Sequence, residues 1–242
     1  PNALIMNNLQ TKHYTQRAHG RALNVLIACE ESQAECIAFR KLGHRAFSCD
    51  LQKARYHDEW HIIGDVTPYL MGTTTFKTAD GKRHRLRHWD LIIAHPPCTY
   101  LCKVSSPHLY VNPDRWATIN GRRVQINSAR WDAMKRSRDF FMTCLHANAH
   151  YLAVENPLPM AAAQLPKPTT FVHPSWFGVK YTKKTLYWLK NLPPVMPTLD
   201  YPNPKQYVRS SRGKYRSRTF PQVADALAAQ WSEFILDDLA KR

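Results

Sequence analysis

The run Leu91-Ile-Ile-Ala94, closed by His95-Pro96-Pro97-Cys98, constrains the fold more than any other stretch. Four apolar residues without polar alternation describe a strand covered on both faces, as in a parallel sheet between helices. Pro96 and Pro97 fix two successive φ angles and remove two backbone donors, so the strand must stop and the next residue sits on a stiff support. That residue is a thiol, Cys98. Most cysteines are simply small buried hydrophobes, so position alone does not assign it a role. The pattern recurs at Tyr151-Leu-Ala-Val154, which delivers Glu155, Asn156 and Pro157. A carboxylate at a buried strand end is unfavourable unless paired or used. A thiol and a carboxylate are therefore expected on one rim of one sheet.

Upstream, Asn24-Val-Leu-Ile-Ala-Cys29 reads as a first strand, 34–42 as a helix stopped by Gly43, and His44 to Asp50 as a second strand. Ser32 and Glu35 have the spacing of a capping box at the helix start. Such a unit implies parallel strands and a right-handed crossover, hence an α/β fold with a mostly parallel sheet and helices on both faces. In these folds the first strand-to-helix turn carries a cofactor, and an acid after the second strand binds ribose hydroxyls. That selects Cys29, Glu30, Glu31 and Ser32 in the turn, and Asp50 with its neighbour Leu51 at the second strand end. The turn has no glycine-rich phosphate loop, which counts against a dinucleotide and leaves a nucleoside cofactor without phosphates, S-adenosylmethionine being the common one. A short third strand, 60–63, ends at Gly64-Asp65, where Asp65 suits either an adenine amino group or an ordinary turn.

With 34 Lys and Arg against 18 Asp and Glu, the formal charge is +16 and the pI about 9.8. A neutral metabolite does not require such a field, whereas a polyphosphate backbone does, so nucleic acid is the expected partner. Lys82, Arg83, Arg85 and Arg87 flank a turn at Asp80-Gly81, and Lys103, Arg122, Arg123, Arg209, Arg212, Arg216 and Arg218 are further candidates for phosphate contacts. The six cysteines form no Cys-x-x-Cys pair, and the twelve His show no paired helical spacing, so neither a disulfide framework nor a metal site is expected. No apolar run approaches the roughly 20 residues that span a bilayer, and the first residues do not resemble a secretory signal, which points to a soluble cytoplasmic protein.

The organisation expected is a basic arm over 1–22 and one domain over 23–242, with a small basic, proline-rich insertion at about 190–215. The segment between Cys102 and Gln125 is too long for an idle connection. A helix over 128–147 carries Trp131, Met134, Phe141 and Leu145 on one stripe, and a final helix over 221–240 does the same with Val223, Leu227, Trp231 and Ile235. Lys184 to Leu189 reads as another strand.

With these residues in order, the chain resembles the cytosine carbon-5 DNA methyltransferases, most closely their short bacteriophage forms. Pro96-Pro97-Cys98 resembles their nucleophile motif, and Glu155-Asn156-Pro157 their Glu-Asn-Val motif. Phe177-Gly178-Val179 with Lys183 is similar to the segment that presents basic side chains to the flipped base, and Arg216 to Pro221 to the closing motifs near the cofactor. The resemblance implies a class I S-adenosylmethionine-dependent, Rossmann-like fold. It also implies Cys98, Glu155, Asn156 and Lys183 as catalytic residues, Pro97 at the cofactor, and DNA, as duplex with a flipped base or as single strand, for substrate. The chain departs from the family at its opening loop, where Ala28-Cys-Glu-Glu-Ser-Gln33 replaces Phe-x-Gly-x-Gly. Between Lys184 and Arg216 there is also no room for a large target-recognition domain. Competing expectations are an amino-group methyltransferase, an enzyme transferring another one-carbon-derived group to cytosine, and a non-catalytic nucleic-acid binder on the same scaffold.

Overall fold

The computed structural model describes residues 20–207 and 218–242. Arg209, Arg212, Arg216 and nearly all of the basic arm lie outside the described residues. The chain begins with β1 (Asn24–Ala28), α1 (Ala34–Lys41), β2 (Arg45–Asp50), β3 (His61–Ile63) and the short α2 (Thr67–Leu70). Next come β4 (Thr75–Lys77), β5 (Arg83–Arg85), β6 (Leu91–Ala94), β7 (Arg115–Ile119), β8 (Arg122–Ile126) and the long α3 (Ser128–Leu145). It ends with β9 (Tyr151–Asn156), β10 (Thr170–Val172), β11 (Tyr181–Thr182), β12 (Thr185–Lys190), β13 (Lys205–Gln206) and α4 (Pro221–Ala240).

Seven strands make the central sheet in the order β10-β12-β9-β6-β1-β2-β3. From β9 to β3 every pairing is parallel, while β12 runs antiparallel to both of its neighbours. Numbered within the sheet, the parallel strands follow the doubly wound order 3-2-1-4-5, so the crossovers leave β1 in opposite directions on its two sides. The fully apolar strands explain the layers. Val25, Ile27, Leu91, Ile93, Tyr151 and Ala153 face a core closed by α1 and α4, which pack on each other. Leu26, Ala28, Ile92, Ala94, Leu152 and Val154 face a second core closed by α3 through Met134, Phe141 and Cys144. In α4, Pro221 sits in the first turn where its missing N–H is harmless, and the stripe Val223, Leu227, Trp231, Ile235 is buried as its spacing predicts. Among the described residues no helix is long and apolar enough to cross a membrane.

Several local expectations are corrected. The residue capping α1 is Gln33, in the left-handed region at φ 57°, and neither Ser32 nor Glu35 makes a capping box. Instead the buried Glu30 carboxylate accepts the N–H groups of Glu35 at 2.8 Å and Cys36 at 3.3 Å, taking over the helix N-terminus from the turn before it. Trp60 belongs to a 3-10 turn, and β3 starts at His61. The basic segment around Asp80-Gly81 is the β4–β5 hairpin, and the segment between Cys102 and Gln125 holds a 3-10 stretch, Lys103–Leu109, and the β7–β8 ribbon.

Candidate active site

The carboxyl ends of β1 and β6 face a crevice where the sheet's connections diverge, which is where doubly wound folds bind ligands. The N–H of His95 still donates to the Ala28 carbonyl at 2.9 Å, continuing the β1–β6 ladder one residue beyond β6. Pro96 and Pro97 can donate nothing further, and the chain leaves the sheet. The Cys98 carbonyl then accepts the N–H groups of Leu101 and Cys102, each at 3.0 Å, so the thiol stands at the head of a tight turn. From β9, the fully buried Asn156 donates its Nδ2 to the Pro96 carbonyl at 3.2 Å. Asn156 therefore braces the loop that carries Cys98.

Glu155 is oriented by His95, a residue that the motif comparison passed over. His95 sits between two carboxylates, with Nδ1 at 3.2 Å from Glu155 and Nε2 at 2.9 Å from the buried Glu35. Burial alone would lower the imidazole pKa, but Glu35 and Glu155 outweigh it and hold His95 well above its usual value. The imidazolium joins β6 to β9 and to α1. Glu35 also accepts the Thr219 hydroxyl at 3.2 Å, and Arg218 donates to Glu31 through Nε at 3.2 Å and Nη2 at 3.0 Å. The segment entering α4 is thus fastened to the turn after β1.

A cleft partly open to solvent is lined by Glu155, Lys183, Tyr187, Arg218 and Thr219 among others. Lys183 is also close enough to Cys98 to favour its thiolate. Cys98 and Cys102 form one hydrogen-bonded pair. That hydrogen bond, together with burial and the negative Glu155, pushes the Cys98 thiol up. Cys102 falls to about 5, because the Cys98 thiol donates to it and Ser105 lies 3.2 Å from its sulfur, against the opposing effect of burial.

At the ends of β1, β2 and β3 the acids expected at a cofactor come together. Burial, then the negative charges around it, Asp50 and Asp65 included, hold the Cys29 thiol well above its usual value. Cys29 is itself in the left-handed region at φ 60°, so with Gln33 it supplies conformations that a glycine-rich loop would otherwise provide. Asp50 is paired in register with Ile63, and the exposed Leu51 and Ile63 flank it. Asp65 accepts both the N–H and the hydroxyl of Thr67, so it also serves as the turn aspartate at the start of α2. Burial and then Glu35 raise Glu30 from 4.5 to about 8. Ser32 is buried in the same turn.

The basic candidates separate into two groups. Arg85 and Arg87 precede β6 and Cys98 follows it, and four residues at about 3.3 Å each put roughly 13 Å of strand between them. The hairpin carrying Lys82 and Arg83 is bonded to the starting residue of β3, through Ala79 N–H to His61 O at 2.7 Å. Proximity in sequence hid this, because a strand carries its two ends to opposite rims. Lys103, Arg122 and Arg123 follow the Cys98 turn, and Arg218 is committed to Glu31 at the cleft.

No protein-family model matches the chain, and no curated protein does so either.

Proposed function

We propose that the protein is a DNA cytosine carbon-5 methyltransferase on a class I S-adenosylmethionine-dependent scaffold, acting in the cytoplasm of a bacterial or phage-infected cell. The observation that carries this reading is the convergence of Cys98, Lys183 and a Glu155 carboxylate held by His95 at the carboxyl ends of adjacent parallel strands. The turn after β1 supports the cofactor assignment. Asp50 and Asp65 make that region acidic, which opposes a pyrophosphate and suits ribose hydroxyls, an adenine amine and a cationic sulfonium. Asp50 would hold the ribose and Asp65 the adenine, with Leu51 and Ile63 against the ring. Cys29, Glu31, Ser32 and Pro97 would line the remainder. When bound, S-adenosylmethionine supplies an electrophilic methyl group.

The chain's own residues prepare the cytosine to receive it. Cys98 gives up its proton to solvent, and Lys183 stabilises the Cys98 thiolate that results. Cys98 bonds to carbon-6, and the ring electrons move towards carbon-5. Glu155 hydrogen-bonds ring nitrogen-3 and the exocyclic amine, offsetting the charge that develops on the ring. After transfer the carbon-5 proton is lost, the carbon–sulfur bond breaks, and Cys98 leaves as the thiolate. The target carbon is hidden in a stacked duplex, so the base is flipped out, at a few kcal/mol, into the cleft beside Glu155.

Incubation with DNA and labelled S-adenosylmethionine, followed by digestion to nucleosides, tests the reading. Label in 5-methylcytidine is the expected result, with turnover reduced by about 100-fold or more in Glu155→Gln. Label on an exocyclic amine, or none at all, would remove it.

A further inference from the structure

The β7–β8 ribbon follows the Cys98 turn in the chain and stands on the start of α3. Asn120 and Gly121, at φ 49° and 77°, form the tight left-handed turn that joins two strands with matching twist. The ribbon pairs with no other described strand, yet its base is fixed. Asp114 accepts the N–H and the hydroxyl of Ser128 at the start of α3, at 2.8 and 2.6 Å, and Asn127 N–H donates to Leu109 at 2.8 Å. The only chain between the Cys98 turn and this base is the 3-10 stretch over Lys103–Leu109.

The two faces of the ribbon differ. Ala117, Ile119, Val124 and Ile126 alternate onto one face and are partly or fully covered. Trp116, Thr118, Arg123 and Gln125 alternate onto the other, and all four are exposed. On that face the Arg123 guanidinium lies 4.9 Å from the Trp116 ring centroid, so the indole supports the planar fork. Between Arg115 and Ile126 there are three arginines and no acid.

An exposed row of hydrogen-bonding side chains on a rigid, cationic two-stranded ribbon matches the major groove of B-form DNA, which is about 12 Å wide and admits such a ribbon. Arginine and glutamine are the side chains whose paired hydrogen bonds distinguish guanine and adenine there. The deep, narrow major groove of A-form RNA would not receive them. We infer that the β7–β8 ribbon is the target-reading element of this protein, entering the DNA major groove with Arg123 and Gln125 on base edges and Trp116 supporting Arg123. The inference rests on the proposed DNA substrate and gives that substrate a form, a duplex read beside the flipped base. It also gives target recognition a place in a chain with no room for a large recognition domain between Lys184 and Arg216.

The test uses the full chain, with fluorescence anisotropy on short DNA duplexes and selection from a library of random duplexes. Wild type is expected to enrich a preferred sequence and to bind duplex DNA at least tenfold more tightly than the matching RNA duplex. Arg123→Ala and Gln125→Ala should each lose about tenfold or more discrimination at a base pair, with the circular dichroism spectrum unchanged. Arg123→Lys keeps the charge and loses the fork, so it should keep the salt dependence of binding while losing the base preference. Failure of wild type to bind any nucleic acid would remove the DNA reading and this inference together. DNA binding without sequence preference, equal affinity for RNA duplex, or variants that retain wild-type preference would overturn the ribbon assignment alone.

Discussion

Glu30 shows how a residue's place in a turn is legible in sequence while its environment is set by the fold. It was selected as part of a cofactor turn, but its carboxylate is buried against the N-terminus of α1 and raised from 4.5 to about 8. In that interval the folded protein holds a proton that the unfolded chain has released, so stability is greatest at the acid end and falls as pH rises through the window. The contribution of Glu30 to stability should therefore fall between pH 4.5 and 8, so Glu30→Gln should change the slope of melting temperature against pH in that window towards higher stability at the alkaline end. A variant with the wild-type slope would show that Glu30 titrates normally. The thiol and the acid were legible because each ends an apolar run, which is a one-dimensional signal. His95 was not, although it directly precedes Pro96, because its role comes from Glu35 and Glu155, each sixty residues away in sequence and joined to it only by the packing of α1 and β9 on β6.

At the scale of elements, apolar pattern and packing agree wherever an element is covered. The final helix was legible over 221–240 because Val223, Leu227, Trp231 and Ile235 repeat at helical spacing and have a sheet to meet. Trp231 is 1% exposed, stacks edgewise on Tyr187 and donates its indole N–H to Pro193 at 3.1 Å. Trp231→Ala should destabilise the fold by about 3–5 kcal/mol in chemical denaturation, and a loss under about 1 kcal/mol would mean that α4 is not anchored there. The exposed ribbon was missed because its strands are short and rich in arginine, although Ala117, Ile119, Val124 and Ile126 alternate in them. Asn120-Gly121 between Arg-Trp-Ala-Thr-Ile and Arg-Arg-Val-Gln-Ile was nonetheless a hairpin signal. The β4–β5 hairpin was hidden by its basic composition in the same way.

For the whole molecule, the +16 charge and the doubly wound sheet support the same proposal from different directions. If phosphates supply most of the affinity, log affinity for DNA should fall linearly with log salt, with a slope of about −0.9 for each phosphate neutralised on duplex. A flat response would leave the charge without a nucleic-acid partner. The central claim, however, is chemical: Cys98, supported by Lys183 and by Glu155 on its His95 clasp, bonds to cytosine carbon-6. DNA containing 5-fluorocytosine tests this most directly, because fluorine at carbon-5 cannot leave as the proton does and the carbon–sulfur bond then persists. With S-adenosylmethionine present, wild type should run as a covalent protein–DNA complex on a denaturing gel, Cys102→Ser should still form it, and Cys98→Ser should not. A complex that forms unchanged in Cys98→Ser, or methylation that continues there at the wild-type rate, would contradict the account.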